Sequence, residues 1–129
     1  MKVLVFHIGS DRYGLRLGAV SRVVPVAGLK QLPLAPAFVA GLLDLHGAPV
    51  PVIDLSTLAG TPASQVWFDT RIILIDWQHG GETRLLGLLA EHVSGVETVP
   101  DASLLDSGVS GAPFLGQVAG GEQGMLQLV

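Results

Sequence analysis

Apolar positions in this chain recur with the period of two that belongs to strands, and they do so in short runs. Residues 3–8 are almost continuously apolar, the pattern of a strand buried on both faces. Gly9, Ser10 and Asp11 supply a turn, after which residues 12–17 alternate, with Tyr13, Leu15 and Leu17 on one face and Arg12 and Arg16 on the other. Together they predict a hairpin. Residues 20–26 form a third apolar stretch, stopped by Pro25 and Gly28. A single helical turn is expected over residues 36–40, with Pro36 at its first position. Residues 41–45 and 49–55 read as a strand pair joined by His46, Gly47 and Ala48.

The second half has the same character. Strands are predicted over residues 71–77 and 84–90, with residues 78–82 as the turn between them. Residues 93–99 alternate more weakly, and residues 125–129 offer a final strand. Short helices fit residues 55–60 and 102–106, but no ten-residue segment has helical periodicity. Strands recurring every ~8–12 residues between glycine turns indicate small closed β-barrels or a sandwich. A linker is expected over residues 59–69, which are rich in Gly, Pro, Ser and Thr.

Composition narrows the function classes. Charged residues are 14% of the 129 and the hydrophobic set 49%, so a packed core rather than disorder is expected. Seventeen Gly and eight Pro fit many short elements joined by tight turns. The absence of cysteine removes disulfides, thiolate metal sites and cysteine nucleophiles. The formal net charge of −4 argues against a general nucleic-acid binder. Residues 1–60 carry five Lys/Arg against three Asp/Glu and residues 61–129 two against eight, a hint of two faces with different partners. The opening run is too short for a secretory signal, and no run approaches a membrane span, so the expected location is cytoplasmic.

No catalytic constellation emerges. The four histidines, His7, His46, His79 and His92, lack paired metal-ligand spacing, so no metal or cofactor is expected. Residues 108–112 nearly copy a nucleophile elbow but end on Ala112, and they follow no strong strand. Asp54, Asp76 and Glu91 sit in or at the ends of apolar strands, where capping a turn or pairing with arginine is the ordinary role. The chain reads as a binding module without enzymatic activity.

Val20-Ser21-Arg22-Val23-Val24 and the long stretch from Leu32-Pro33-Leu34 through Gly41-Leu42-Leu43-Asp44-Leu45-His46-Gly47-Ala48-Pro49-Val50-Pro51-Val52-Ile53-Asp54-Leu55 closely resemble the CheW family of chemotaxis coupling proteins. Further matches are Phe6 with Tyr13-Gly14, Leu86-Gly87-Leu88-Leu89 followed by Val93 and Val96, Pro113-Phe114-Leu115-Gly116, and Met125-Leu126. The resemblance implies an all-β fold of two small five-stranded β-barrel lobes packed together, with short helical turns. One lobe is expected mainly from residues 12–55 and the other mainly from 71–129, joined by strand 3–8. It also implies a non-catalytic adaptor holding the cytoplasmic hairpin tip of a chemoreceptor (a methyl-accepting chemotaxis protein) and presenting a surface to the regulatory domain of a CheA-type histidine kinase. Val20, Gly41, His46, Gly47 and Gly87 match receptor-binding positions; no kinase-contact residue is singled out.

In physical terms Gly41 and Gly47 permit positive φ or close backbone approach. Pro49 and Pro51 lack N–H donors, which confines their strand to an edge or a bulge; such an edge is either a docking surface or covered by the chain itself. The family's asparagine and arginine in this signature are Asp44 and His46 here, and histidine lacks the permanent forked charge of arginine. With residues 113–116, that change is similar to CheW-like adaptors of Wsp-type surface-sensing systems, which feed cyclic-diguanylate synthesis. Relatives usually continue beyond the position of Val129 into an aspartate and a closing helix; either the sequence is cut short or this member lacks the helix, in which case apolar surface near the last strand is expected to be bare. Two other classes remain: a small-molecule-binding β-barrel regulator with its pocket between the lobes, and an enzyme with a split site using Asp54, His46 or His92.

Overall fold

The computed structural model describes residues 1–63, 65–106, 108, 116–120 and 124–129. Their elements, in chain order, are β1 (Lys2–Ile8), β2 (Asp11–Arg16), a 3-10 turn (Leu17–Ala19), β3 (Val20–Pro25), β4 (Val39–Leu45), β5 (Ala48–Asp54), α1 (Leu55–Leu58), β6 (Arg71–His79), β7 (Glu82–Thr98), a second 3-10 turn (Asp101–Ser103), β8 (Leu104–Leu105), β9 (Val118–Ala119) and β10 (Leu126–Leu128). The all-β class expected from the period-two pattern is what forms. Residues 36–40 do not make a helical turn: Val39 N–H closes one hydrogen-bonded turn on Pro36 O (2.9 Å), and Val39 then enters β4. Strand pairing of Val39 and Gly41 against β5 overrides the local preference at Pro36.

One strand organises the rest. β7 is 17 residues long, and its two halves pair with different partners. Residues of its first half lie antiparallel to β6 and parallel to β5 at Val52, Ile53 and Asp54; its second half lies antiparallel to β1. Between them the register slips, Val5 facing Gly95 and His7 facing Glu91. The extra residues fall between Glu91 and Gly95, where His92 (φ 49°) and Gly95 (φ 128°) are left-handed, a bulge that bends the strand from one lobe into the other.

The pairings therefore divide the chain differently from the expected split. β3, β4, β5, β6 and the first half of β7 form one group, and β1, β2, β8, β9, β10 and the second half of β7 form the other. Nor are the lobes closed barrels, as the resemblance implied; they are parts of one open sheet. Among the described residues, β3 pairs with β6 and β4 with β5, and β3 and β4 are not paired with each other. The free edge of β4 is taken by the chain's own loop, where Lys30 and Leu42 exchange two backbone hydrogen bonds of 2.9 Å.

Alternation sorts the apolar side chains into three layers. On β1, Val3 and Val5 point into a cluster with Val99, Ala119, Leu126 and Leu128. Leu4 and Phe6 point the other way, into a cluster with Leu15, Leu55, Ile73, Leu88 and Ala90 that fills the space between the lobes. On β6, Ile73 belongs to that middle layer, while Ile72 and Leu74 join Leu43, Val50 and Val52 in the third. Continuous apolar runs in β1 and β6 thus follow from burial on both faces.

Polar ties hold the linker against the bend of β7. Trp67 Nε1–H donates to Glu91 Oε2 (3.0 Å), and the buried Ser56 hydroxyl donates to Glu91 Oε1 (2.6 Å). Val93 N–H donates to Asp69 O (3.0 Å), and His92 Nδ1 lies 3.1 Å from Asp69 Oδ2. Glu91→Ala leaves both donors without an acceptor, so a loss of about 2 kcal/mol is expected by chemical denaturation. Trp67 emission should shift to the red in the folded variant; unchanged stability would show that water replaces the carboxylate at little cost.

Candidate docking site

The β4–β5 hairpin carries the signature stretch. His46 (φ 51°) and Gly47 (φ 89°) are both left-handed, the requirement of a two-residue type I′ turn, which matches the twist of the strands it joins. Asp44 Oδ1 accepts the Gly47 N–H (2.8 Å), so the residue standing where the family has asparagine ties down the turn. His46 is exposed at the tip.

Gly41 and Gly87 are placed differently. Gly41 sits in β4 at a bulge opposite Val52 with φ 146°, and a Cβ there would lie 2.6 Å from Lys30 O. Gly87 lies on β7 between Val52 and Leu74 in the register, and a Cβ there would meet Val52 Cγ2 at 2.9 Å and Ile72 Cγ2 at 3.0 Å. The two glycines therefore share one row across the sheet, Gly41–Val52–Gly87–Leu74, and both set the thickness of the lobe interior. Val20 is half-buried at the start of β3, paired with Ile75, which in turn pairs with Leu86. Of the five residues singled out, His46 and Gly47 lie at the exposed tip, Val20 packs half-buried against the middle layer, and Gly41 and Gly87 lie within the sheet.

The double proline has the consequence expected of it. Asp54 N–H donates to Phe38 O (2.7 Å), so on β5 the even-numbered backbone groups face β4 and the odd-numbered ones face β7. Pro49 and Pro51 thus turn carbonyls but no N–H toward β7, and pairing of β5 with β7 begins only at Val52. Upstream of that point the strands part and leave an open groove of about 370 Å³, walled by Ala48, Pro49 and Pro51 on one side and by Trp77, Arg84 and Leu85 on the other. Trp77, 45% exposed, pairs with Arg84 across the β6–β7 hairpin. Sequence reasoning did not single out Trp77 or Arg84. Their only mark in the sequence is to stand on either side of the turn read over residues 78–82, and the register is what brings them opposite the prolines.

The alternative chemistries do not assemble. Asp54 caps α1, its Oδ1 accepting from Ser56 N–H (3.1 Å) and Thr57 N–H (3.2 Å), the ordinary role expected of it. His46 lies at the other end of β5, about 20 Å away along the strand. His92 is engaged with Asp69. The space between the lobes, where the alternative of a small-molecule-binding regulator puts its pocket, is filled by side chains including Phe6, Leu15, Ile73 and Leu88. Among the described residues no group of His, Asp and Glu is arranged to hold a metal ion, and no helix is long and apolar enough to cross a membrane. The near-elbow of residues 108–112 and the Pro113-Phe114-Leu115 match fall largely outside the described residues.

The family model of the CheW-like domain matches residues 2–129. The chain belongs to the CheW-like family. The crystal structure of the scaffolding protein TtCheW from Thermoanaerobacter tengcongensis is similar, with a TM-score of 0.85 and 26% sequence identity over 98% of this chain and 82% of that one. No curated protein matches the sequence. An open all-β sheet of this form, a hairpin with a tied turn and an apolar groove beside it are thus the CheW-like architecture as this chain builds it. The family is that of the chemotaxis coupling adaptors.

Proposed function

We propose that this protein is a cytoplasmic adaptor that couples the cytoplasmic hairpin tip of a chemoreceptor to the regulatory domain of a CheA-type histidine kinase at membrane receptor arrays. The observation that carries this is the match to the CheW-like domain along residues 2–129, supported by the similar fold of a scaffolding protein. In this reading Val20, His46 and Gly47 meet the receptor directly. Gly41 and Gly87 hold the sheet that presents them. The adaptor works by binding alone, so its two partners must be able to bind at once.

Co-sedimentation with receptor-bearing membranes, with and without the kinase, tests the reading. Retention that needs neither partner, or binding of one partner that displaces the other, would remove the coupling role. A second expectation concerns the hairpin tip. A permanent guanidinium at an exposed position adds about 1 kcal/mol against a rim carboxylate, so His46→Arg should tighten receptor binding roughly fivefold. His46→Ala should leave kinase binding intact, since the tip is assigned to the receptor. Equal loss of both partners in His46→Ala would instead mean that position 46 serves the fold.

A further inference from the structure

Resting on the receptor-docking role above, we propose that Arg84 is the residue that recognises a carboxylate on the docked segment, and that this segment is an amphipathic helix seated in the Pro49–Trp77 groove. Among the described residues that line the groove, Arg84 alone is charged. The other lining groups are apolar side chains and the carbonyls of Pro49 and Pro51. A strand added to this edge would need donors and acceptors in alternation, and the two prolines offer no donor. An occupant must therefore satisfy its own backbone, as a helix does, and bind through side chains. An aliphatic side chain fits between the prolines and the half-exposed Trp77 ring, and a carboxylate beside it meets the guanidinium.

Arg84 is available for that exchange. Its Nε–H (3.3 Å) and Nη2–H (2.9 Å) both donate to a single oxygen, Oε2 of Glu82. A guanidinium carries five N–H donors, so the Nη1 pair remains for an incoming carboxylate. Both members of the Arg84–Glu82 pair are more than 60% exposed, at 65% and 67%, which makes the existing contact weak and readily shared. Ala48, the residue after the His46–Gly47 turn, lines the same groove, so the guanidinium lies on the same site as the hairpin tip. The cation that fixes the occupant thus comes from the start of β7, two strands away in sequence from the hairpin.

Titration of a receptor cytoplasmic fragment into the full chain tests this, using wild type, Arg84→Met, Arg84→Lys and Glu82→Gln at low and high salt. Arg84→Met should weaken binding about fivefold, with Lys intermediate because it loses the forked geometry. Glu82→Gln should tighten binding about twofold by removing a competing carboxylate, and high salt should shrink all these differences. Binding of the kinase regulatory domain and the melting temperature should stay at wild-type values in Arg84→Met. Wild-type affinity in Arg84→Met would overturn the assignment while leaving the docking role in place. Joint loss of both partners with a lowered melting temperature would also overturn it, by making Arg84 structural. Failure of the wild type to bind the fragment at all would remove the docking role and this inference together.

Discussion

Gly41→Ala is expected to destabilise the protein by roughly 3 kcal/mol, the sum of backbone strain and overpacking. Two independent features of the position combine. With φ at 146° the backbone is in a region that L side chains rarely adopt. A Cβ would also sit 2.6 Å from Lys30 O and 3.0 Å from Leu29 Cβ. Neither neighbour can retreat cheaply, because the Lys30 carbonyl is itself held by the Leu42 N–H at 2.9 Å. Relief must come from breaking the bridge that covers the free edge of β4. A fall in melting temperature on the order of 10 °C should follow for a chain of this size. Calorimetry checks it. A fall of only a degree or two would mean that the loop bearing Lys30 peels away without carrying the sheet with it. In that case the variant should expose the edge of β4 and tend to associate through it.

How far the sequence carries can be judged element by element. Residues 71–77 declared a strand, and residues 3–8 a strand buried on both faces, because a continuous apolar run leaves no polar face for solvent. That is what the three-layered packing of Leu4, Phe6 and Ile73 against Val3, Val5, Ile72 and Leu74 requires. The turns at residues 9–10 and 46–47 were legible from glycine placement, and the interruption of pairing at Pro49 and Pro51 from their missing donors. What alternation does not encode is which strand a strand meets. Residues 84–90 and 93–99 read as separate strands because Glu91 and His92 break the apolar pattern between them. They are two halves of β7, and the break is the bulge that passes the chain from one lobe to the other. The β1–β2 and β6–β7 hairpins are paired as read, but that single misjoin hides which lobe β2 and β6 belong to. The open edges of the sheet were equally hidden, since the Lys30–Leu42 bridge lies in a loop with no strand pattern. At the candidate docking site, the hairpin residues carry a local signature in the sequence, whereas Trp77 and Arg84 are brought beside them by register alone.

Gly87→Val should cost about as much as Gly41→Ala, roughly 3 kcal/mol, but through packing alone. The backbone of Gly87 is not in the left-handed region, so strain plays no part. A Cβ would lie 2.9 Å from Val52 Cγ2 and 3.0 Å from Ile72 Cγ2, and valine adds two methyl groups beyond it. Val52 and Ile72 are fully buried, on the two strands that flank β7 at this point. β6 is anchored to β7 from Arg71 to His79, whereas β5 is joined to it only at Val52, Ile53 and Asp54. The weaker seam must yield, so β5 should be pushed away from β7 and carry β4 and the hairpin tip with it. Hydrogen exchange should therefore show β4 and β5 amides losing protection while β1 and β2, paired in the other lobe, keep theirs. Receptor binding should fall with that local loss, because both the groove and the His46–Gly47 tip ride on β5. Uniform loss of protection in both lobes would show instead that the middle layer of Leu4, Phe6, Ile73 and Leu88 couples them into one cooperative unit, and that Gly87 acts on the whole fold.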